Sequence, residues 1–317
     1  MTLKLGLRTL GLATVALGLS TATPVAAIAA PADLGLNLIA QAATQDRKTI
    51  GDIQLGLDAL DYDTGLIDGI MGPKTESAIR SYQDDNSLPV DGVASTRLLT
   101  HIQRNPKSQA VGLQPRMRDD FEDGDYKNNP KWKVHSGDFQ VRDGFLSIRL
   151  PGANTKDDEA GVGDAVRDLF SSTNIGHQAA ISQDNNVPSA FRIVATLLGS
   201  GKESVRMHMG PYIGEDVLKG YRLSYDQAAN GQLAIVRRKG NDSTVLAEAT
   251  NVTELGDGRR HLVVWTRDRN GRMVVTIDRR ERLQTTDNTF RGEFAGFSFS
   301  DGAGTWNLHD IAIYEAR

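Results

Sequence analysis

Three short stripes of apolar residues near the N-terminal end of the chain predict helices. Within each stripe the positions recur three or four residues apart, which is the spacing of one helix face. The stripes are Ile50, Ile53, Leu57 and Leu60; Thr75, Ala78, Ile79 and Tyr82; and Leu98, Leu99 and Ile102. We therefore expect a small three-helix bundle at residues 50–104, with Ser95 or Thr96 as the N-cap of the third helix.

From about residue 116 the pattern changes to short alternating segments separated by glycine, asparagine and aspartate. Such segments are typical of strands in an antiparallel sandwich. The predicted strands are Phe145–Leu150, Phe191–Leu198, Ser204–Gly210, Gly220–Asp226, Gln232–Lys239, His261–Asp268, Arg272–Asp278, Phe294–Ser300 and Leu308–Ala316. Asn270-Gly271 predicts a hairpin turn, and the acidic, glycine-rich stretch Ala153–Pro188 predicts long loops around one or two irregular strands.

The first 49 residues show neither the helical pattern of residues 50–104 nor the strand pattern that begins near residue 116. Lys4 and Arg8 precede an apolar stretch, Leu10–Ser20, which is followed by small residues. This order is typical of a secretory signal peptide, and we expect cleavage after Ala29, with Ala27 or Ala30 as alternatives. The apolar stretch is short for a membrane anchor, which needs about 20 residues. No later segment is long enough to cross a membrane.

The predicted organisation is therefore multidomain, with a small all-α bundle followed by an all-β sandwich. It consists of a signal peptide (1–29), a tether (30–49), the helical domain (50–104), a linker (105–115) and the sandwich (116–317). Export places the protein in the periplasm, at the cell wall or outside the cell.

Composition narrows the classes of function. The formal net charge is −4, and no basic stretch of the kind that binds nucleic acid is apparent. The chain contains no cysteine, which excludes disulfides, thiolate metal sites and cysteine nucleophiles.

Two related turns connect the predicted helices. Ile67-Asp68-Gly69-Ile70 precedes the second helix, and Val90-Asp91-Gly92-Val93 precedes the third. In each turn glycine supplies a backbone conformation with positive φ, and aspartate can accept a hydrogen bond from a downstream amide. The flanking isoleucines and valines are expected to point back into the core.

These turns carry a family resemblance. The segment from Ile53 to about Ile102 resembles the peptidoglycan-binding domain family, a three-helix module of bacterial wall enzymes. The resemblance rests on Gln54, Leu57 and Leu60, then Asp68-Gly69 with Gly72-Pro73-x-Thr75, Ala78, Tyr82-Gln83, Leu88 and Val90-Asp91-Gly92-Val93. It implies noncatalytic attachment to peptidoglycan. The contact residues it implies are Asp68, Gly69, Gly72, Lys74 and Thr75.

The second half resembles the concanavalin A-like lectin and glucanase jelly rolls. The resemblance rests on the opening "DDFEDGDYKNNPKWKVHSGDFQVRDGFLSI" and on the alternating closing strand that contains "NLHDIAIYEA". It implies glycan binding, glycan cleavage or an adhesive module. Tyr212 and Trp306 look the most exposed aromatic residues and are the candidates for stacking on a sugar ring, whereas Trp132 and Trp265 are expected in the core.

The sequence contains no recognised catalytic group. The laminarinase-type retaining glycosidases of this superfamily carry Glu-x-Asp-x-(x)-Glu on one strand, where alternation aims the carboxylates into the cleft, and no such strand is present. The histidines lack metal-ligand spacing. The resemblance to these jelly rolls implies calcium as a cofactor, because such proteins often join their first and last strands through this ion. Its expected ligands are Glu122 and Asp310.

The sequence thus predicts an exported wall-associated protein that attaches to peptidoglycan and presents a sandwich to a polysaccharide or an envelope protein. Two alternatives stay open. One is a divergent hydrolase of the cell wall or another polysaccharide, with catalytic residues outside the known patterns. The other is a structural envelope protein.

Overall fold

The computed structural model describes residues 47–106, 115–149, 179–201 and 205–316. All of these belong to one compact unit, Ala43–Arg317. The predicted signal peptide, most of the tether and most of the linker lie outside the described residues. Much of the predicted loop stretch Ala153–Pro188 does so as well.

The three predicted helices are confirmed. The first, α1, is described over residues 47–59, and the others are α2 (Pro73–Asp85) and α3 (Thr96–Arg104). Pro73 occupies the first turn of α2, where its missing N–H has no intrahelical acceptor to lose. Ser95 is the N-cap of α3 and accepts a hydrogen bond from the Leu98 amide at 3.2 Å. The stripes meet in one core around Ile53, Ile79 and Ile102, and none of the described helices is long and apolar enough to span a bilayer.

The second half is confirmed as a sandwich of two antiparallel sheets. Its described strands are β1 (Pro115–Asp119), β2 (Trp132–Ser136), β3 (Asp138–Arg142), β4 (Phe145–Arg149), β5 (Ala179–Gln183), β6 (Phe191–Ser200), β7 (Arg206–Ile213), β8 (Asp216–Asp226), β9 (Gln232–Lys239), β10 (Asp242–Ala249), β11 (Arg260–Arg267), β12 (Arg272–Ile277), β13 (Arg280–Thr286), β14 (Gly296–Ala303) and β15 (Thr305–Glu315).

One sheet has the described order β13-β12-β11-β6-β15-β4-β3, with β1 also paired to β15; the other has the order β10-β9-β8-β7-β14-β5-β2. Between them lies a large apolar core that contains Trp132 and Trp265, as predicted for both tryptophans. Alternation along each strand sends every second residue into this core and the others to the outer face of the sheet.

The helical module packs on the outer face of the eight-stranded sheet. Val264, Val194 and Ala312 lie side by side there, on β11, β6 and β15. Together with neighbouring apolar residues of these strands they form one buried cluster with Leu55 of α1 and Ile67 of the first turn. Burial of apolar area from both parts therefore holds the module against the sandwich.

Ion pairs surround this apolar contact. Asp58 of α1 accepts from Arg192 on β6 and from Arg279 after β12, and its side chain is only 7% exposed. Asp52, also on α1, accepts from Arg118 of β1 at 2.9 Å. A buried carboxylate that loses its arginine partners destabilises the folded protein, and so does a buried arginine that loses its carboxylate. These pairs therefore favour one register of the helix on the sheet.

The first prediction concerns this interface. Asp58→Asn should lower the free energy of unfolding by about 3 kcal/mol, because it leaves two partly buried arginines without a charged partner. Urea unfolding at neutral pH measures the change. Asp63→Asn is the matched control: Asp63 pairs with Lys74 at 3.1 Å with both side chains half or more exposed, and such pairs contribute at most about 1 kcal/mol. Equal effects of the two substitutions would contradict the interface described here.

Candidate functional site

Gln54 of α1 organises the first Asp-Gly turn. Its side-chain oxygen accepts from the amides of Asp68 at 3.1 Å and Gly69 at 2.8 Å. Its side-chain nitrogen donates to the Ile70 carbonyl and to the Thr75 hydroxyl. Gly69 has φ +69°, and a Cβ there would lie 2.7 Å from the Arg47 carbonyl oxygen. The turn is therefore fixed by a buried amide and by a position that only glycine fits.

The second turn repeats this design. Gln83 of α2 donates to Asp91 at 2.7 Å and accepts from the Gly92 amide at 2.9 Å. Each aspartate also accepts from the amide two residues on, as the sequence predicts. The expectation that the flanking apolar residues face the core is wrong at Ile70, Val90 and Val93, which are exposed. Ile67 is buried, but against the sandwich.

The five predicted peptidoglycan contacts fall into two groups. Asp68, Gly69 and Thr75 serve the turn itself, and Thr75 also donates to the Thr64 carbonyl at 3.1 Å. Gly72 and Lys74 are available to a ligand. A Cβ at Gly72 would meet no atom within 4 Å, and the Lys74 side chain is 68% exposed although it pairs with Asp63.

The turn opens on a cleft of about 130 Å³ between the module and the sandwich. The module contributes Arg47, Asp68, Gly69 and Ile70, and the sandwich contributes Arg118, Asp120, Glu122, Asp143, Gly144, Arg260, His309 and Asp310. The cleft thus brings together residues that the sequence suggested for two separate purposes, peptidoglycan contact and calcium ligation.

The charges in the cleft are mixed. Arg47 pairs with Glu122, and Arg118 reaches Asp310 at 3.4 Å as well as Asp52. Burial raises the pKa of Asp310 to about 7, opposed by Arg118. Burial and then the positive charge of Arg260 lower the pKa of His309 to about 4, so this imidazole is neutral at pH 7.

The calcium site expected at Glu122 and Asp310 does not fit the described residues. Both carboxylates line the cleft, but each lies against an arginine, and a cation partner competes with Ca²⁺. Calcium takes six to eight oxygen ligands. Within the described part of the chain, no cluster of three or more metal-binding side chains has a suitable arrangement.

The exposure expected for the two candidate stacking residues is wrong. Trp306 is fully buried, contacts Tyr225 and Phe299, and donates from its indole N–H to the Arg206 carbonyl at 3.1 Å. Tyr212 is 3% exposed and donates to Asp184 at 2.6 Å. Burial and this carboxylate raise the pKa of the Tyr212 hydroxyl to about 12. Neither ring presents a face to a sugar in this structure.

The outer face of the seven-stranded sheet holds a polar group that the sequence reasoning missed. Arg222 is 3% exposed. It donates to the Gly210 carbonyl at 3.2 Å, to Ser298 at 2.5 Å and to the Leu218 carbonyl at 3.4 Å, whereas its Nη2 has no hydrogen-bond partner among the described residues. Burial, followed by the charge of Arg238, lowers the pKa of Arg222 to about 9.

Hydroxyl groups accompany this arginine. Ser182 pairs across the sheet with Ser298, and Ser300 pairs with His208, which pairs with Ser224. The signal in the sequence is the alternation itself, because polar residues recur at every second position of "RMHMG", "YRLSYD" and "FSFS".

A comparison with known protein families finds a match to the helical module. A family model described as "Putative peptidoglycan binding domain" matches residues 46–102, which agrees with the resemblance read from the turns. A search of curated proteins found no match.

Solved structures that are similar to the chain match it over about three fifths of its length. One is the carbohydrate binding module CBM66 from Bacillus subtilis, with 12% identity and a TM-score of 0.44, covering 58% of this chain and 95% of that one. A second is the exoplasmic/lumenal domain of VIP36 in a Ca²⁺/Man3GlcNAc-bound form, with 11% identity and a TM-score of 0.46, covering 64% and 89%. A third is a Bacillus subtilis protein of unknown function with a galectin-like fold, with 11% identity and a TM-score of 0.43, covering 63% and 94%. The helical module is thus similar to the peptidoglycan-binding domain family, and the rest of the described chain is a two-sheet sandwich.

Proposed function

We propose that this chain is an exported, cell-wall-associated binding protein that attaches to peptidoglycan through its helical module. The observation that carries the proposal is the family match over residues 46–102. The exposed side of the first turn, at Gly72 and Lys74, is the contact surface, since the other predicted contact residues are engaged in the fold. The protein acts in the periplasm or outside the cell, after removal of residues 1–29.

Binding to isolated sacculi tests this proposal. Gly72→Leu combined with Lys74→Gln should weaken cosedimentation with sacculi at least about tenfold, equivalent to about 1.4 kcal/mol. The leucine covers the turn without a clash inside the protein, because the space above Gly72 is open. Lys74→Gln removes a cation from the same surface.

Gly292→Leu is the matched control, because a Cβ at Gly292 also meets nothing within 4 Å and no positive φ is required there. Equal binding by the turn variant and the control would contradict the proposed surface. Release of soluble fragments from the sacculi by the pure protein would favour the hydrolase instead. Absence of binding by the unmodified protein would favour a structural envelope protein.

A further inference from the structure

The charged residues that line the cleft beside the first turn are of two kinds, those that form ion pairs within the described part of the chain and those that do not. Some of the charges that line it already have partners: Arg47 pairs with Glu122, and Arg118 pairs with Asp310 and with Asp52 of α1. These pairs join the module to the sandwich, and the apolar contact of Leu55 and Ile67 lies beside them. The cleft is therefore a fixed feature of the folded chain.

The rim of the cleft carries charges of both signs that come from the sandwich. Arg260, at the start of β11, and Asp143, in the turn between β3 and β4, are both exposed. Neither forms an ion pair in the described part of the chain. Arg260 lies near enough to His309 to lower the pKa of its imidazole.

The backbone fixes the position of Asp143. Asp143 and Gly144 both have positive φ, 52° and 72°, as in the tight turns that join antiparallel strands. A Cβ on Gly144 would lie 3.1 Å from the Glu122 carboxylate. The turn thus packs closely against the carboxylate that binds Arg47, and this contact holds Asp143 at the rim.

Separate charges of opposite sign on one small cleft suit a ligand that carries both signs. A carboxylate forms its strongest hydrogen bonds with a guanidinium, and an ammonium group with carboxylates. In peptidoglycan the sugar backbone lacks ammonium groups, whereas the peptide that crosslinks it carries carboxylates and an amine. The cleft therefore matches the peptide part of the wall better than its glycan part.

We propose that the sandwich takes part in peptidoglycan recognition, with Arg260 binding a carboxylate and Asp143 an ammonium group of the wall peptide. The part of the first turn that lines the cleft, at Asp68, Gly69 and Ile70, contacts the same fragment. This inference rests on the proposed attachment to peptidoglycan. It adds that the binding site is composite, and that two of its specificity-determining residues lie outside the segment similar to the peptidoglycan-binding family.

Titration calorimetry with soluble wall fragments tests the composite site on the full chain. The probes are a disaccharide–tripeptide released from sacculi and the same disaccharide without its peptide. The wild type should bind the first at least about tenfold more tightly, and added salt should reduce the difference because the contacts are charged. Arg260→Gln and Asp143→Asn should each lose most of this preference for the peptide-bearing fragment. Asparagine tolerates the positive φ at position 143, so Asp143→Asn should leave the turn intact.

Two substitutions of charged residues that do not line the cleft serve as controls. Arg259→Gln changes the adjacent arginine, which pairs with Asp257 and does not line the cleft, and Asp242→Asn changes an exposed aspartate at the start of β10. Both should bind as the wild type does. If the chain binds sacculi while Arg260→Gln and Asp143→Asn bind the tripeptide fragment normally, the composite site is overturned and the proposed attachment stands. If the chain binds neither sacculi nor fragments, both are overturned.

Discussion

The architecture depends on the contact between one face of α1 and the outer face of the eight-stranded sheet. Positions 51, 52, 55 and 58 of the helix recur at helical spacing and all meet the sandwich. A Cβ on Gly51 would lie 2.5 Å from the Arg118 guanidinium, Leu55 enters the apolar cluster, and Asp52 and Asp58 accept from arginines of the sandwich. A module of this size has a limited core of its own, so docking adds apolar burial that the isolated bundle lacks.

Docking also determines what the first turn can bind. Gln54 and Ile67 connect the turn to both cores, since Gln54 fixes the turn from within the module while Ile67 is buried against the sheet. Asp68, Gly69 and Ile70 of the turn therefore line a cleft whose other side is formed by the sandwich. A ligand on this turn meets side chains from both parts of the chain.

Local patterns allowed much of the fold to be predicted. The helices follow from apolar stripes, and the turns follow in part from glycine and aspartate acting on their own backbone, whereas the hydrogen bonds to Gln54 and Gln83 that complete the turns join residues further apart in the chain. Strands with clear alternation, such as β9, were predicted with their observed bounds. Strand β13 ("RERLQTT") was missed because it contains a single apolar residue, and β10 ("DSTVLAEA") was missed because its apolar residues Val245, Leu246 and Ala247 are consecutive and do not alternate; both take their place by pairing with neighbours.

The candidate site was harder to predict, because it is built from residues far apart in the chain. Leu55 was the available signal, since it is an apolar position of α1 that lies off the predicted stripe. The expected exposure of Trp306 was wrong for a related reason. Its neighbours "DGAGT" suggest a loop, but the residue lies in β15, where alternation turns its ring into the core.

Hydrogen exchange of the native protein tests the central claim most directly. If the module and the sandwich are one folded unit, the slowest amides of α1 should exchange with the same opening free energy as those of β6 and β15. Denaturant should then lower the opening free energies of all three elements with the same slope. Exchange of the α1 amides through a separate opening, at a lower free energy and with a smaller denaturant slope, would contradict it.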